Sequence, residues 1–210
     1  MIFADRTHAG QILAQKLKVL KIGNASVAAI PRGGVVVASE IARVYKLPIF
    51  PLVIKKLGAP ANPELAIGAT ASFGKPVLDR WLIADLGVSS DYLKAETLKK
   101  RKEARAREKS LGVELANIDF VGKTVIVVDD GMATGQTAKL ASKILRQFGV
   151  GRLILAVGCA PTSAVEMIKA DYESVICPEI RDDFMAVGQC YRDFRPIDDE
   201  EVKRILNIKN

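Results

Sequence analysis

The sequence is poor in the residues that metal and disulfide chemistry draw on. It has one histidine, His8, and three cysteines, Cys159, Cys177 and Cys190. The cysteines are odd in number, widely spaced and without a C-x-x-C pair, which argues against a structural zinc site and against a disulfide framework. Cys159 and Cys177 lie in apolar, strand-like runs and are expected to be reduced, buried thiols. His8 falls at the start of the first helical pattern and has no cysteine near it in sequence. Aromatic residues make up only 6% of the chain. None is interleaved with the basic segments, which ranks nucleic acid low among the partners. No apolar stretch approaches the roughly 18 residues of a membrane helix, and the start Met1-Ile-Phe-Ala-Asp-Arg lacks a signal-peptide pattern, so a cytoplasmic location without membrane contact is expected.

What is present suits a single α/β domain over residues 1–210: 22.7 kDa and 49% hydrophobic residues, ample for a core. The formal charge of +7 and a pI near 9.3 favour a polyanionic ligand.

The most informative stretch is Val125-Ile-Val-Val-Asp129-Asp130-Gly131-Met-Ala133-Thr134-Gly135-Gln136-Thr137. Four β-branched residues, two carboxylates and a small-residue turn precede an apolar helical pattern at Leu140, Ile144, Leu145 and Phe148, which reads as strand, loop, helix. Such a loop offers backbone N–H groups at a helix N-terminus, an anion site. Gly131 and Gly135 allow close backbone approach, and the Thr134 and Thr137 hydroxyls can complete a ring of donors around a phosphate monoester. The Walker lysine is missing, which argues against a nucleoside triphosphatase. Asp129 and Asp130 are placed to accept hydrogen bonds from vicinal hydroxyls, or to hold a divalent cation through water.

A second unit of this kind lies upstream. The apolar run Ser26–Ile30 leads into Pro31-Arg32-Gly33-Gly34 and a helical stretch from Val35 to Tyr45, where Arg32 supplies a fork for phosphate oxygens. The run Leu47–Ile54 predicts a strand, followed by a Pro/Gly-rich loop that opens with Lys55 and Lys56, either solvated or reaching toward an anion. Two short strands are expected around Ser72–Lys75. From Asp79 to Asn117 the chain is helical and charged, with eight basic residues against three glutamates between Lys94 and Lys109. Pairs at i,i+4, Glu96 with Lys100 and Glu103 with Arg107, would support it as a solvated helix; the alternative is an arm that closes over a polyphosphate. The tail concentrates Phe184, Tyr191 and Phe194, either as a satellite core or, at Phe184 or Tyr191, as a stacking surface for a planar base.

These motifs resemble the type I phosphoribosyltransferase family. The hydrophobic, Asp-Asp, G-x-A-T-G-x-T pattern is similar to its phosphoribosyl diphosphate (PRPP) signature, and Pro31-Arg-Gly-Gly to its diphosphate loop. Gly58-Ala-Pro-x-Asn62-Pro-Glu-Leu-Ala-Ile-Gly68 and Ala186-Val-Gly-Gln-Cys-Tyr-Arg-Asp-Phe194 extend the likeness, to a group of predicted members with unassigned acceptor. The resemblance implies a Rossmann-like, open, mostly parallel sheet with flanking helices, a charged helical insertion at 79–117 and a C-terminal hood at 178–210. It implies transfer of phosphoribose from PRPP to a small nitrogen acceptor in nucleotide salvage, with Mg²⁺ as cofactor. A PRPP sensor without turnover is the alternative. Carried over by position, Asp129 and Asp130 hold the ribose hydroxyls and Mg²⁺ through water, and 133–137 wrap the 5-phosphate. Arg32, Gly33, Gly34, Lys55 and Lys56 take the diphosphate. Where hypoxanthine and guanine enzymes carry an aspartate, this chain has Ala133, so a general base must come from elsewhere, with Glu64 and Glu103 as candidates. Dimerisation is common in the family, so a homodimer is admitted, although no residue here identifies an interface.

Overall fold

The apolar runs pair into a parallel sheet. In the computed structural model, which describes residues 1–113, 118–183 and 185–207, the chain runs α1 (Arg6–Leu17), β1 (Ala25–Ala29), α2 (Gly33–Tyr45), β2 (Ile49–Pro51), β3 (Lys55–Ala59), β4 (Asn62–Thr70), β5 (Val77–Leu78), α3 (Arg80–Asp85), α4 (Ser90–Ser110), β6 (Thr124–Asp129), α5 (Gln136–Arg146), β7 (Arg152–Val157), β8 (Cys159–Ala160), α6 (Thr162–Ile168), β9 (Ser174–Ile176), β10 (Glu179–Ile180) and α7 (Asp199–Asn207). The central sheet has the order β2-β1-β6-β7-β9, with every neighbouring pair parallel.

Because strand side chains alternate between faces, each central strand feeds two cores. Val27, Ala29, Ile126, Val128, Ile154 and Ala156 pack with residues of α1, α2 and α7 on one face. Ala28, Val125, Val127, Leu153, Leu155 and Val157 meet Ala138, Ala141 and Leu145 of α5 and Ala164 and Ile168 of α6 on the other. This is the covered, doubly wound sheet that continuous apolar strands require.

The segment from Lys55 to Glu64 corrects an expectation. It is not a loop: β3 and β4 form an antiparallel hairpin with β5 added at its edge. Lys55–Ala59 holds one large apolar residue, Leu57, and so shows no alternation, while Pro63 sits against Gly58 where the register shifts. The expected strand at 47–54 is likewise confined to the three residues of β2.

Leu57, Ala59 and Ile67 of the hairpin make a small core of their own with Leu82 and Ile83 of α3 and Tyr92 and Leu93 of α4. The charged segment is thus two helices seated on the hairpin, with 114–117 outside the described residues. Tyr92 Oη donates to the Gly58 carbonyl at 2.9 Å, and Arg105 Nε to the Ser72 carbonyl at 3.2 Å. Glu96 and Lys100 approach to 3.9 Å as expected, but Glu103 pairs with Lys100 at 3.1 Å and leaves Arg107 to another partner.

Glu108 is buried at the foot of α4 and accepts a hydrogen bond from Ser72 Oγ at 2.7 Å. Burial pushes its carboxyl up to about 7. A raised carboxyl pKa means that the neutral form stabilises the fold below the ordinary value near 4.5 and that this contribution is lost as pH rises through 7. Glu108→Gln is therefore expected to leave stability near pH 5 little changed and to raise it above pH 8, by at most about 3 kcal/mol. Urea unfolding at both pH values measures this; an equal effect at the two would contradict it.

The N-terminus and the tail meet at one end of the sheet. Phe3 N donates to the Cys190 carbonyl and Arg192 N to the Phe3 carbonyl, both at 2.8 Å, and Phe3, Ala9, Cys159, Cys190 and Tyr191 form a third cluster. The three cysteines are free thiols. Cys159 and Cys190 are buried as expected for the first, while Cys177 is half-buried, its thiol pushed up by burial to about 12. No helix among the described residues is long and apolar enough to cross a membrane.

Candidate functional site

The strand order decides where ligands fit. From β1 the chain crosses to β2 on one side, and from β6 to β7 on the other, so the loops leaving β1 and β6 diverge and open a crevice at the strand ends. Their register sets Ala29 opposite Val128, which brings Pro31-Arg32-Gly33 alongside Asp129-Asp130. The Pro31–Arg32 peptide is cis.

A cavity of about 560 Å³ lies there, lined by Arg32, Gly33, Lys55, Arg107, Asp129, Asp130 and Thr137 among others. A smaller one, about 180 Å³, follows the loop from Gly131 through Ala133, Thr134, Gly135 and Gln136 to Ala138, and shares Asp129 and Thr137 with the first. Gly135 caps α5 with φ of 71°, a left-handed conformation, and a Cβ there would lie 2.8 Å from Met167 Cε. The turn therefore fits glycine, and the first residues of α5, Gln136 to Ala138, line the smaller cavity, with the Gln136 N–H donating to Thr134 Oγ1 at 3.4 Å.

Gly33 has a different reason. A Cβ on it would stand 1.9 Å from Asp130 Oδ2 and 2.7 Å from Arg6 Nε. The missing side chain lets the two loops touch. Gly34 packs beneath, where a Cβ would meet the Val128 carbonyl oxygen at 2.7 Å.

Asp130 is held from below. Arg6, at the start of α1, donates through Nε to Asp130 Oδ2 at 2.7 Å, and the two side chains are only 9% and 14% exposed. Arg6 Nη1 also donates to the Arg195 carbonyl at 2.9 Å, and its guanidinium lies 3.8 Å from the centre of the Phe194 ring. Tyr191 Oη donates to the Asp130 backbone carbonyl at 2.5 Å. The tail thus forms a floor under the acidic pair. Burial, and next the Asp130 carboxylate, hold the Asp129 carboxyl well above the usual carboxylate range, with Arg6 acting the other way. A carboxylate so disfavoured on its own gains from hydroxyl donors or a cation.

The structure brings together most of the expected residues and separates others. Lys55 and Lys56 are adjacent in a strand and point to opposite faces: Lys55 lines the crevice, whereas Lys56 lines a different cavity, with Arg80, Lys139 and Lys143. Tyr191 is buried between Phe3 and Phe194, with ring centres 5.3 and 5.1 Å away, and presents no open ring face to a base. Phe184 lies outside the described residues. Glu64 and Glu103 are not among the residues lining the crevice. Two arginines in the site, Arg6 and Arg107, were not singled out for it from sequence. Arg6 is 124 residues from its partner, and Arg107 was one cation in a basic run.

Comparison with known proteins places the chain in a family. The family model for the phosphoribosyl transferase domain matches residues 5–195. Two Mycobacterium tuberculosis proteins, from strains CDC 1551 and H37Rv and both provisionally named phosphoribosyl transferases, are 36% identical over 206 residues, 98% of this chain and 46% of their own length. The chain therefore spans about half the length of these curated relatives. The crystal structure of TT1426 from Thermus thermophilus matches with a TM-score of 0.86 at 38% identity over 98% of both chains. With a family match over nearly its whole length, the chain belongs to the phosphoribosyl transferase domain family.

Proposed function

We propose that the protein transfers the 5-phosphoribosyl group of PRPP to a nitrogen acceptor, a nucleobase in the salvage sense, with release of diphosphate. The observation that carries this reading is the pairing of two anion cradles across one carboxylate pair. The 180 Å³ cavity suits a phosphate monoester, and the 560 Å³ crevice, with Arg32, Lys55 and Arg107, suits a diphosphate. Asp129 lines both and Asp130 lines the larger, where a ribose joining the two would offer its vicinal hydroxyls. The family membership and these lining residues agree.

In the reaction the acceptor nitrogen forms a bond to the anomeric carbon as that carbon's bond to the diphosphate oxygen breaks, and the nitrogen's proton leaves to a base. The residues present position and neutralise. The α5 N-terminus with Thr134 and Thr137 anchors the phosphate, the carboxylates face the ribose where positive charge develops, and Arg32 with the Gly33 amide receives the departing diphosphate. Among the described residues no group of three or more His, Cys, Asp or Glu side chains could cage a metal. Two carboxylates above a phosphate site nevertheless fit Mg²⁺, which is commonly held by one or two carboxylates, waters and substrate phosphates. When bound, it supplies charge neutralisation for the leaving group.

The test is Mg²⁺-dependent diphosphate release from PRPP across a panel of purines, pyrimidines and small nitrogen acceptors. Release with one acceptor, falling at least about 10²-fold in the Asp129→Asn/Asp130→Asn variant, is the expected result. Binding of PRPP with no release for any acceptor would turn the reading toward a PRPP sensor.

A further inference from the structure

Several charges along α4 have partners within the helix or on the hairpin segment beside it. Lys94 faces Asp91, Lys100 faces Glu96 and Glu103, and Arg101 and Arg105 donate to the carbonyls of Gly74 and Ser72. Arg107 instead lines the 560 Å³ crevice. There its guanidinium fork holds both oxygens of Asp199, with Nη2 to Oδ1 at 2.6 Å and Nη1 bonded to Oδ2. Asp199 opens α7, and its Oδ1 also lies 3.9 Å from Nη1 of Arg32. One carboxylate therefore bridges the arginine of the Pro31-Arg-Gly-Gly loop and an arginine from a different layer of the molecule.

Three features set this bridge apart from a structural clamp. First, a carboxylate spans an arginine fork with two oxygens in the way a phosphate does, so a diphosphate competes for the same donors. Second, the bridge is open to water: Arg107 and Asp199 are 25% and 39% exposed. Exposed pairs contribute little to stability and exchange partners readily. Third, α7 has another hold on the fold. Val202 and Leu206 of the same helix are buried in the main core. Asp199 can leave its arginines without freeing the helix.

We propose that Arg107 is a further ligand of the diphosphate and that Asp199 occupies it, together with Arg32, as a carboxylate stand-in until donor binding displaces it. The inference rests on the crevice being the diphosphate side of the PRPP site. It makes Asp199 a built-in competitor that sets donor affinity, and it gives the basic helix a function that solvation alone does not. The exchange also keeps the two arginines paired, because the diphosphate arrives as the carboxylate of Asp199 leaves.

The test is calorimetric titration of inorganic diphosphate with Mg²⁺, and of PRPP with Mg²⁺, into the intact chain and its variants, with thermal unfolding of each. Asp199→Asn removes the competitor, and diphosphate should bind several-fold more tightly. Arg107→Gln should bind diphosphate about tenfold more weakly, with Arg107→Lys in between because it keeps the charge without the fork. The Asp199→Asn/Arg107→Gln pair should behave as Arg107→Gln alone, since without Arg107 most of the competition has no object. If Asp199→Asn and Arg107→Gln lower the unfolding temperature alike and leave both affinities within twofold of the parent, the bridge is structural and the inference is overturned. Arg107→Lys decides the matter even if the neutral variants do not fold. A parent chain that binds neither probe overturns the donor reading as well; one that binds both while ignoring every Arg107 change overturns only this inference.

Discussion

Gly33→Ala is expected to cost at least about 10²-fold in PRPP turnover, the scale on which ångström-sized displacements of reacting groups act. The added methyl carbon would fall 1.9 Å from Asp130 Oδ2, far inside contact distance, and 2.7 Å from Arg6 Nε. Relief requires that the Pro31-Arg32-Gly33 loop retreat or that Asp130 turn away from Arg6. Either movement separates this loop, the proposed diphosphate cradle, from the carboxylates. The loss should appear in kcat as well as in KM, because both the bound donor and the transition state lean on this junction. Gly23 is the control: it has φ of 57° but nothing within 4 Å of a built Cβ. Gly23→Asn, which tolerates that conformation, should leave turnover unchanged. Steady-state kinetics of the two variants measure the contrast, and a Gly33→Ala enzyme within threefold of the parent would contradict the packing described.

Arg6→Met should destabilise the fold by about 3–5 kcal/mol, the cost of leaving a buried carboxylate without its partner. The methionine keeps much of the apolar stem that Phe194 covers, so the change reports on charge rather than on volume. Adding Asp130→Asn to Arg6→Met should recover a large part of the loss, since the uncompensated charge is then gone. Denaturant titration of the two single variants and the double variant gives the coupling directly. Additive losses would mean that Arg6 stabilises through the Arg195 carbonyl and the Phe194 ring and not through Asp130. The result bears on the proposed function too, because Arg6 holds Asp130, the carboxylate proposed to meet the ribose.

The parts of this molecule that sequence made legible are those with local signatures. The strand, loop and helix units at Ser26–Tyr45 and Val125–Phe148 announce themselves through apolar runs, small-residue turns and helical periodicity, and the structure has β1, α2, β6 and α5 there. The fold class follows from their repetition. Three things stayed hidden, each for a physical reason. The β3–β4 hairpin lacks alternating apolar residues, so its pairing is carried by backbone hydrogen bonds and the small core under α3 and α4. The split between Lys55 and Lys56 depends on knowing that they sit in a strand. The partners of Arg6 and Arg107 lie 124 and 92 residues away. Glu103, four residues from Arg107, was the local choice; the fold pairs it with Lys100 instead. Tyr191 shows the same limit, since an aromatic residue near a site reads alike whether it stacks on a ligand or, as here, donates a hydrogen bond beneath the loop.

The central claim is that one donor molecule spans both cavities at the ends of β1 and β6. Amide hydrogen exchange of the intact chain with and without PRPP and Mg²⁺ tests it most directly. The account predicts slowed exchange in two separate segments, the amides of Gly33 and Gly34 and those from Thr134 to Thr137, and a loss of that protection in the Asp129→Asn/Asp130→Asn variant. Binding of PRPP that protects neither segment, or only surfaces such as the cavity beside Lys56, Lys139 and Lys143, would contradict it.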